Sequence, residues 1–290
     1  MSTTWLSSSD LTNFFINKKI LSAVIKPTSY NKNTDICCFS HIPKTAGTSL
    51  ETVIAKNYKV SDTLHVNAPD LNEQPKVIRL KKHLPRFICG HHPLHGQLYQ
   101  LIQKVPIFHF TQLRDPLDRV LSYYNYVKGK TDHPMHGYTK DGSIIHFLLK
   151  NPSPELCNGQ SKRFSGYLHS GLATDDQLFT ESRDALITCF SLVLTTCLFD
   201  ESLLLLKKRL GLSDVFYQRE NVSQKFIDKQ SLDDATLNFI LENNQADMQL
   251  FEWAKNQCQI LIANELTAET IQRFRSDNQT WQQLINSQSE

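Results

Sequence analysis

Apolar positions fall into two alternating patterns along the chain. Short β-prone runs occupy 36–42, 87–90 and 106–113, with another inside 190–196. After the first run, Leu50, Val53 and Ile54 recur on one side of a helix. After the third, helical spacing covers 117–127, with Pro116 in the first turn and Asp115 as its cap. Asp200 is expected to cap a further helix over 201–210. The stretch 128–164, richer in Gly, Pro, His and Asn, reads as loops around a short helix at 144–149. From 231 the pattern is helical almost to the end. The first 34 residues are polar and mixed, a leader with one or two helical turns around 11–25. Residues 35–290 then form one domain, without internal repeats. Strands alternating with helices predict a three-layer α/β fold: a mainly parallel central sheet, helices on both faces and a helical C-terminal part.

Composition narrows the function classes. Thirty-one basic residues against 29 acidic ones leave a net charge of +2, so no global field marks a nucleic-acid binder. With 40 % apolar and 21 % charged residues the chain can build a core, which excludes disorder. Its seven cysteines include no C-x-x-C pair, and adjacent Cys37 and Cys38 would point to opposite faces of a strand as buried thiols. No uncharged run reaches the ~18 residues of a membrane span, and the N-terminal stretch lacks the apolar core of a signal peptide. The expectation is a cytoplasmic protein with no membrane anchor.

In a parallel sheet ligands sit at the carboxyl ends of the strands. Three loops leave those ends, at 43–49, 90–96 and 114–122, and most of the unusual chemistry falls in them. The first belongs to the run His41-Ile-Pro-Lys-Thr-Ala-Gly-Thr-Ser49. Helix-start N–H groups are unpaired and carry partial positive charge, so they receive an anion. Gly47 lets backbone approach closely, and Lys44 can follow negative charge onto a leaving group. The nucleoside triphosphate pattern G-x-x-x-x-G-K-[ST] is absent, because here the lysine precedes the glycine. A capped helix with a solvated Lys44 is the plainer alternative. In the third loop Arg114 offers a fork to a phosphate, and Ser122 on the next helix adds a neutral donor. There the plainer alternative is an ion pair with Asp115 or Asp118.

Together, that run and Leu113-Arg-Asp-Pro-Leu-Asp-Arg-Val-Leu-Ser-Tyr-Tyr124 resemble the 5′-phosphosulfate loop and the 3′-phosphate motif of the carbohydrate sulfotransferases, in the branch of the heparan sulfate 2-O- and 6-O-enzymes and their bacterial relatives. Weaker similarity continues through 158–166, 199–203, 219–223 and 244–247. The resemblance implies a P-loop-like fold that binds 3′-phosphoadenosine 5′-phosphosulfate (PAPS) and releases the bisphosphate PAP, with no metal. It places Lys44, Thr45, Ala46, Gly47, Thr48 and Ser49 around the 5′ end of the donor, and Arg114 with Ser122 on its 3′-phosphate. Lys44 would also stabilise the leaving phosphate in an in-line displacement. The family's Gly-His pair falls on Gly90 and His91, which makes His91 the expected base and His92 its alternative, with His95 close by. Imidazole suits the task because its ordinary pKa of ~6.5 leaves it neutral yet basic at pH 7.

The acceptor is less legible. A basic stretch at 76–86, the tyrosines Tyr99, Tyr123, Tyr124, Tyr126 and Tyr138, and the loop 128–164 are candidates for holding it. The expected acceptor is a saccharide or small hydroxylated molecule. Two rival readings are a kinase-like nucleotide-binding P-loop protein and a non-catalytic glycan-binding module.

Overall fold

A computed structural model describes residues 25–67, 83–91, 102, 105–140, 142–150, 154–168, 173–218 and 226–287. Five strands, β1 (Ile36–Ser40), β2 (Thr63–His65), β3 (Phe87–Gly90), β4 (Ile107–Leu113) and β5 (Leu192–Thr195), form one sheet in the order β2-β3-β1-β4-β5. Every pairing is parallel. The chain leaves β1 toward one edge, then crosses back to β4, so the order reverses beside β1. A crevice at the carboxyl ends of β1 and β4 is the consequence.

Nine α-helices are described: α1 (Gly47–Ala55), α2 (Pro116–Gly129), α3 (Ile144–Lys150), α4 (Gly159–Ser165), α5 (Asp175–Cys189), α6 (Phe199–Leu210), α7 (Asp234–Glu242), α8 (Gln245–Glu265) and α9 (Ala268–Ser287). The pleat distributes them over two faces. Cys37 and Phe39 pack with α1, α6 and α9, while Ile36 and Cys38 pack with α5 and α8. All residues of β1, β3, β4 and β5 are buried, as strands covered on both faces must be. Helices α2, α3 and α7 share a separate apolar cluster around Tyr124 and Phe147. All seven cysteines are free thiols. Among the described residues no helix is long and apolar enough to cross a membrane.

The predicted three-layer α/β architecture with its parallel sheet and helical C-terminal part is present. Asp115 caps α2 as expected, accepting from the N–H of Asp118 at 2.9 Å. Asp200 departs from its expected place. Helix α6 starts at Phe199 without a side-chain cap, and Asp200 lies inside its first turn. Its carboxylate is taken instead by Tyr217 Oη (2.8 Å) and Arg275 Nε (3.1 Å). Strand β2 and helices α4 and α5 were not among the predicted elements. The expected leader helix lies outside the described residues, apart from Ile25, which bridges to Pro106. Tyr30 then packs edge-on to Phe108 and meets the hydroxyl of Tyr58 at 3.0 Å, so 25–34 lies against the sheet.

One buried ionic brace ties the layers together. Arg119 of α2, 1 % exposed, sits 3.6 Å from carboxylate oxygens of both Glu155 and Asp247 and also donates to the Glu155 carbonyl. Asp247 of α8 accepts from the N–H groups of Gln160 (3.1 Å) and Ser161 (2.7 Å), so it neutralises the start of α4. Asn158 donates its N–H to Asn244 Oδ1 and accepts from the Asp247 N–H, while Asn244 Nδ2 donates to the Leu156 carbonyl, which cross-links the same corner. Gly159 has to lack a side chain there, since a β-carbon would come 2.8 Å from Arg119 Nη2. Breaking one member of a buried ion network strands the others. Asp247→Ala is therefore expected to lower the unfolding free energy by ~3–5 kcal/mol, seen as a lower urea midpoint at unchanged slope. A loss under ~1 kcal/mol would mean the brace contributes little.

Candidate active site

The turn from β1 into α1 is built from unusual backbone. Lys44 (φ 68°) and Ala46 (φ 58°) both adopt the left-handed conformation. Between them Thr45 is fully buried. Its hydroxyl donates to the Ile42 carbonyl (2.9 Å), and its carbonyl accepts from Gln112 Nε2 (2.6 Å). A left-handed residue leading into right-handed helix turns consecutive N–H groups toward one concavity. Helix α1 has neither a side-chain cap nor an acidic residue in its first turn. Its leading backbone donors are thus presented to an anion. Gly47 is required by close approach, because a β-carbon there would overlap the His41 imidazole.

Arg114 closes the opposite side. Its backbone N–H and carbonyl are both held by the Gln160 side chain, at 3.0 and 2.9 Å, and Gln160 is seated by Asp247. The Arg114 guanidinium donates to the Lys44 carbonyl at 3.2 Å, linking the two loops. The ion-pair alternative is not adopted. Asp115 and Asp118 both pair with Lys229, and among the described residues no carboxylate forms an ion pair with Arg114. Among the described residues Lys44 likewise pairs with no carboxylate: its ammonium lies over the Tyr126 ring, 4.1 Å from the centroid. Burial, then the charges of Arg114 and Lys130, bring its pKa down to about 8. Burial also lowers that of Arg114, against Asp118 and Asp115. Among the described residues neither cation forms an ion pair with a carboxylate, although Asp118 and Asp115 act on Arg114 through space.

Both border one cavity of about 590 Å³. Lys44, Ala46, Gly47, Thr48, Ser49, His91, Arg114 and Ser122 all line it, so two distant loops and the second-loop histidine meet at one cavity. Thr45 does not line it; its side chain pins the turn. Of the tyrosines, Tyr123 and Tyr126 border the cavity, whereas Tyr124 is buried in the helical cluster. Tyr99, His92, His95 and most of the basic stretch lie outside the described residues. His41, Thr196, Phe199 and Tyr217 also line the wall and were not singled out beforehand. Phe199 had a signal as part of the weaker similarity at 199–203, and His41 opens the motif run 41–49, where it was given no role.

His91 follows β3 at Gly90, whose φ of 127° and close approach to the Val66 carbonyl exclude a side chain. The His91 N–H donates to Asn67 Oδ1 (3.1 Å), and ring Nδ1 donates to the His41 carbonyl (2.8 Å). A carbonyl only accepts, so Nδ1 carries the proton and Nε2 is the basic nitrogen. Burial, followed by the charge of His41, lowers the His91 pKa to about 4. Nearby, ligand atoms of Glu51, His65 and Cys89 lie within 4.8 Å of one another.

The sulfotransferase family model (Sulfotransfer_2) matches residues 32–191, which include both anion loops and His91. The chain belongs to the sulfotransferase family. Among solved structures, this sulfotransferase is similar to mouse sulfotransferase SULT7A1 complexed with PAP. That match has 10 % identity, covers 92 % of this chain and 95 % of the other, and has a TM-score of 0.37. No curated protein matches the chain.

The depressed pKa of His91 has a consequence for this sulfotransferase in acid. Between pH ~6.5 and about 4 an unfolded chain binds a proton at this residue that the folded chain does not. Stability is therefore complete above pH 6.5 and falls as pH drops through that window. Urea unfolding at pH 7 and pH 4 should show wild type losing ~3 kcal/mol more than His91→Asn. Parallel losses would mean that His91 is not neutral in the fold.

Proposed function

We propose that this sulfotransferase takes its sulfonate from PAPS and delivers it to a hydroxyl of a saccharide or small hydroxylated acceptor. The carrying observation is the pair of desolvated cations, Lys44 and Arg114, bordering one cavity beside an uncapped helix start. An unpaired buried charge costs several kcal/mol, and an anionic ligand removes that cost. The two groups sit on separate loops, which suits a ligand with phosphate at both its 5′ and 3′ positions. Lys44 and the α1 start would receive the 5′ end, and Arg114 with Ser122 the 3′-phosphate.

PAPS supplies an activated sulfonate on a phosphate leaving group. His91 Nε2 takes the proton of the acceptor hydroxyl as its oxygen bonds to sulfur. Lys44 supports the phosphate oxygen that keeps the electron pair of the broken S–O bond, so PAP leaves without a covalent enzyme intermediate. A pKa of about 4 makes His91 a weak base by itself. Negative charge brought in with the donor strengthens it, since a nearby anion favours the protonated ring. Tyr123 and Tyr126 offer faces for a sugar ring. A reducing, cytoplasmic setting fits seven cysteines that all remain thiols.

Thermal shift with adenosine 3′,5′-bisphosphate, ATP and AMP tests the donor. At a hundred times Kd the bisphosphate should add ~2.7 kcal/mol and raise Tm by several degrees, and Arg114→Ala should abolish the rise. A rise with ATP alone would favour a kinase instead. In sulfonate-transfer assays, Lys44→Ala should lower kcat by ~10²- to 10³-fold. A change confined to KM would remove Lys44 from the transition state.

A further inference from the structure

His41 is the imidazole that the functional reading leaves unused, and it is built into the site from four directions. Its N–H donates to the Gly90 carbonyl (3.1 Å), and its own carbonyl holds His91 Nδ1 (2.8 Å). Its ring lies 4.2 Å from the His91 ring, centroid to centroid, and against Gly47 at the start of α1. The side chain is 8 % exposed, yet it borders the cavity. Nδ1 lies 3.0 Å from Glu51 Oε1, while Nε2 has no hydrogen-bond partner among the described residues. The other oxygen of Glu51 is 3.6 Å from His65 Nε2. Burial pushes the Glu51 carboxyl up, but its bonds to His41 and His65 outweigh this and hold it at about 2, so it is a carboxylate.

We propose that His41, held by Glu51 through Nδ1–H, donates a hydrogen bond from Nε2 to the anionic 5′ end of the sulfonate donor at the start of α1. The proposal rests on the donor assignment above. Geometry separates the two adjacent rings. His91 Nδ1 faces a carbonyl, which leaves its Nε2 as an acceptor, whereas His41 Nδ1 faces a carboxylate, the partner that suits a ring donating from both nitrogens. Two imidazoles this close repel if both are charged, so opposite roles are the favourable arrangement. No proton needs to be transferred by His41.

Isothermal titration of adenosine 3′,5′-bisphosphate and adenosine 3′-monophosphate, which differ only at the 5′-phosphate, tests this. His41→Asn keeps a donor near the Nδ1 position and lacks the Nε2 one. It should weaken the bisphosphate by ~10-fold or more while leaving the monophosphate within about twofold. His41→Gln, which reaches the Nε2 position, should recover part of the loss. Glu51→Gln should give a smaller loss with the same selectivity, and decides the matter if the His41 variants do not fold. Equal weakening of both ligands would make His41 merely structural and overturn the proposal, as would no change in either. Wild type that binds both ligands equally would instead overturn the donor assignment, and this proposal with it.

Discussion

Two non-glycine residues, Lys44 and Ala46, hold left-handed backbone within one tight turn, each at a cost of about 1–2 kcal/mol. The surrounding structure has to outweigh that cost. Thr45 is clamped by its own hydroxyl bond to Ile42 and by Gln112 from the neighbouring strand. Arg114 fixes the Lys44 carbonyl, and the His41 ring occupies the space over Gly47. The turn is over-determined by contacts from β1, β4 and α1. Relaxing it would give α1 an ordinary start and would turn its N–H groups out of the cavity.

Charge is managed differently in two neighbouring places. Arg119 is only 1 % exposed, but Glu155 and Asp247 surround it, so its charge is compensated within the fold. Arg114, five residues earlier, is largely desolvated with no carboxylate ion pair among the described residues. The two are mechanically linked. Asp247 holds Gln160 by its N–H, and the Gln160 side chain holds both backbone groups of Arg114. The compensated arginine stabilises the frame that keeps the uncompensated one in place. A protein selected only for stability would pair both.

What was legible in the sequence was local. Runs such as Ile107–Leu113 and the spacing of Leu50, Val53 and Ile54 express their periods within a few residues, and the anion loops are contiguous. Strand β2 has only three residues, Thr63–His65, too few to show a period. Asp200 had the chemistry of a cap, but Arg275 and Tyr217, 75 and 17 residues away, draw its carboxylate elsewhere. The Glu51–His41 contact spans ten residues across a turn whose shape no local pattern announces. The histidine was visible in its motif; its partner was visible only in the fold.

The same electrostatic field links the two halves of the reading. Positive charge that makes the cavity receptive to an anion also opposes a proton on His91, with His41 and Arg163 both contributing after burial. Burial first, and then the charges of His41 and Arg163, thus hold His91 neutral in the free protein. On the proposed mechanism an arriving anion would cancel part of that field, and the affinity of His91 for a proton would rise when an acceptor proton has to be taken. Lys44 responds in the opposite sense to its surroundings. Its ammonium is destabilised by burial and by Arg114, and an adjacent phosphate restores its full charge. On the proposed mechanism one binding event would ready both groups, and an uncharged acceptor alone would ready neither.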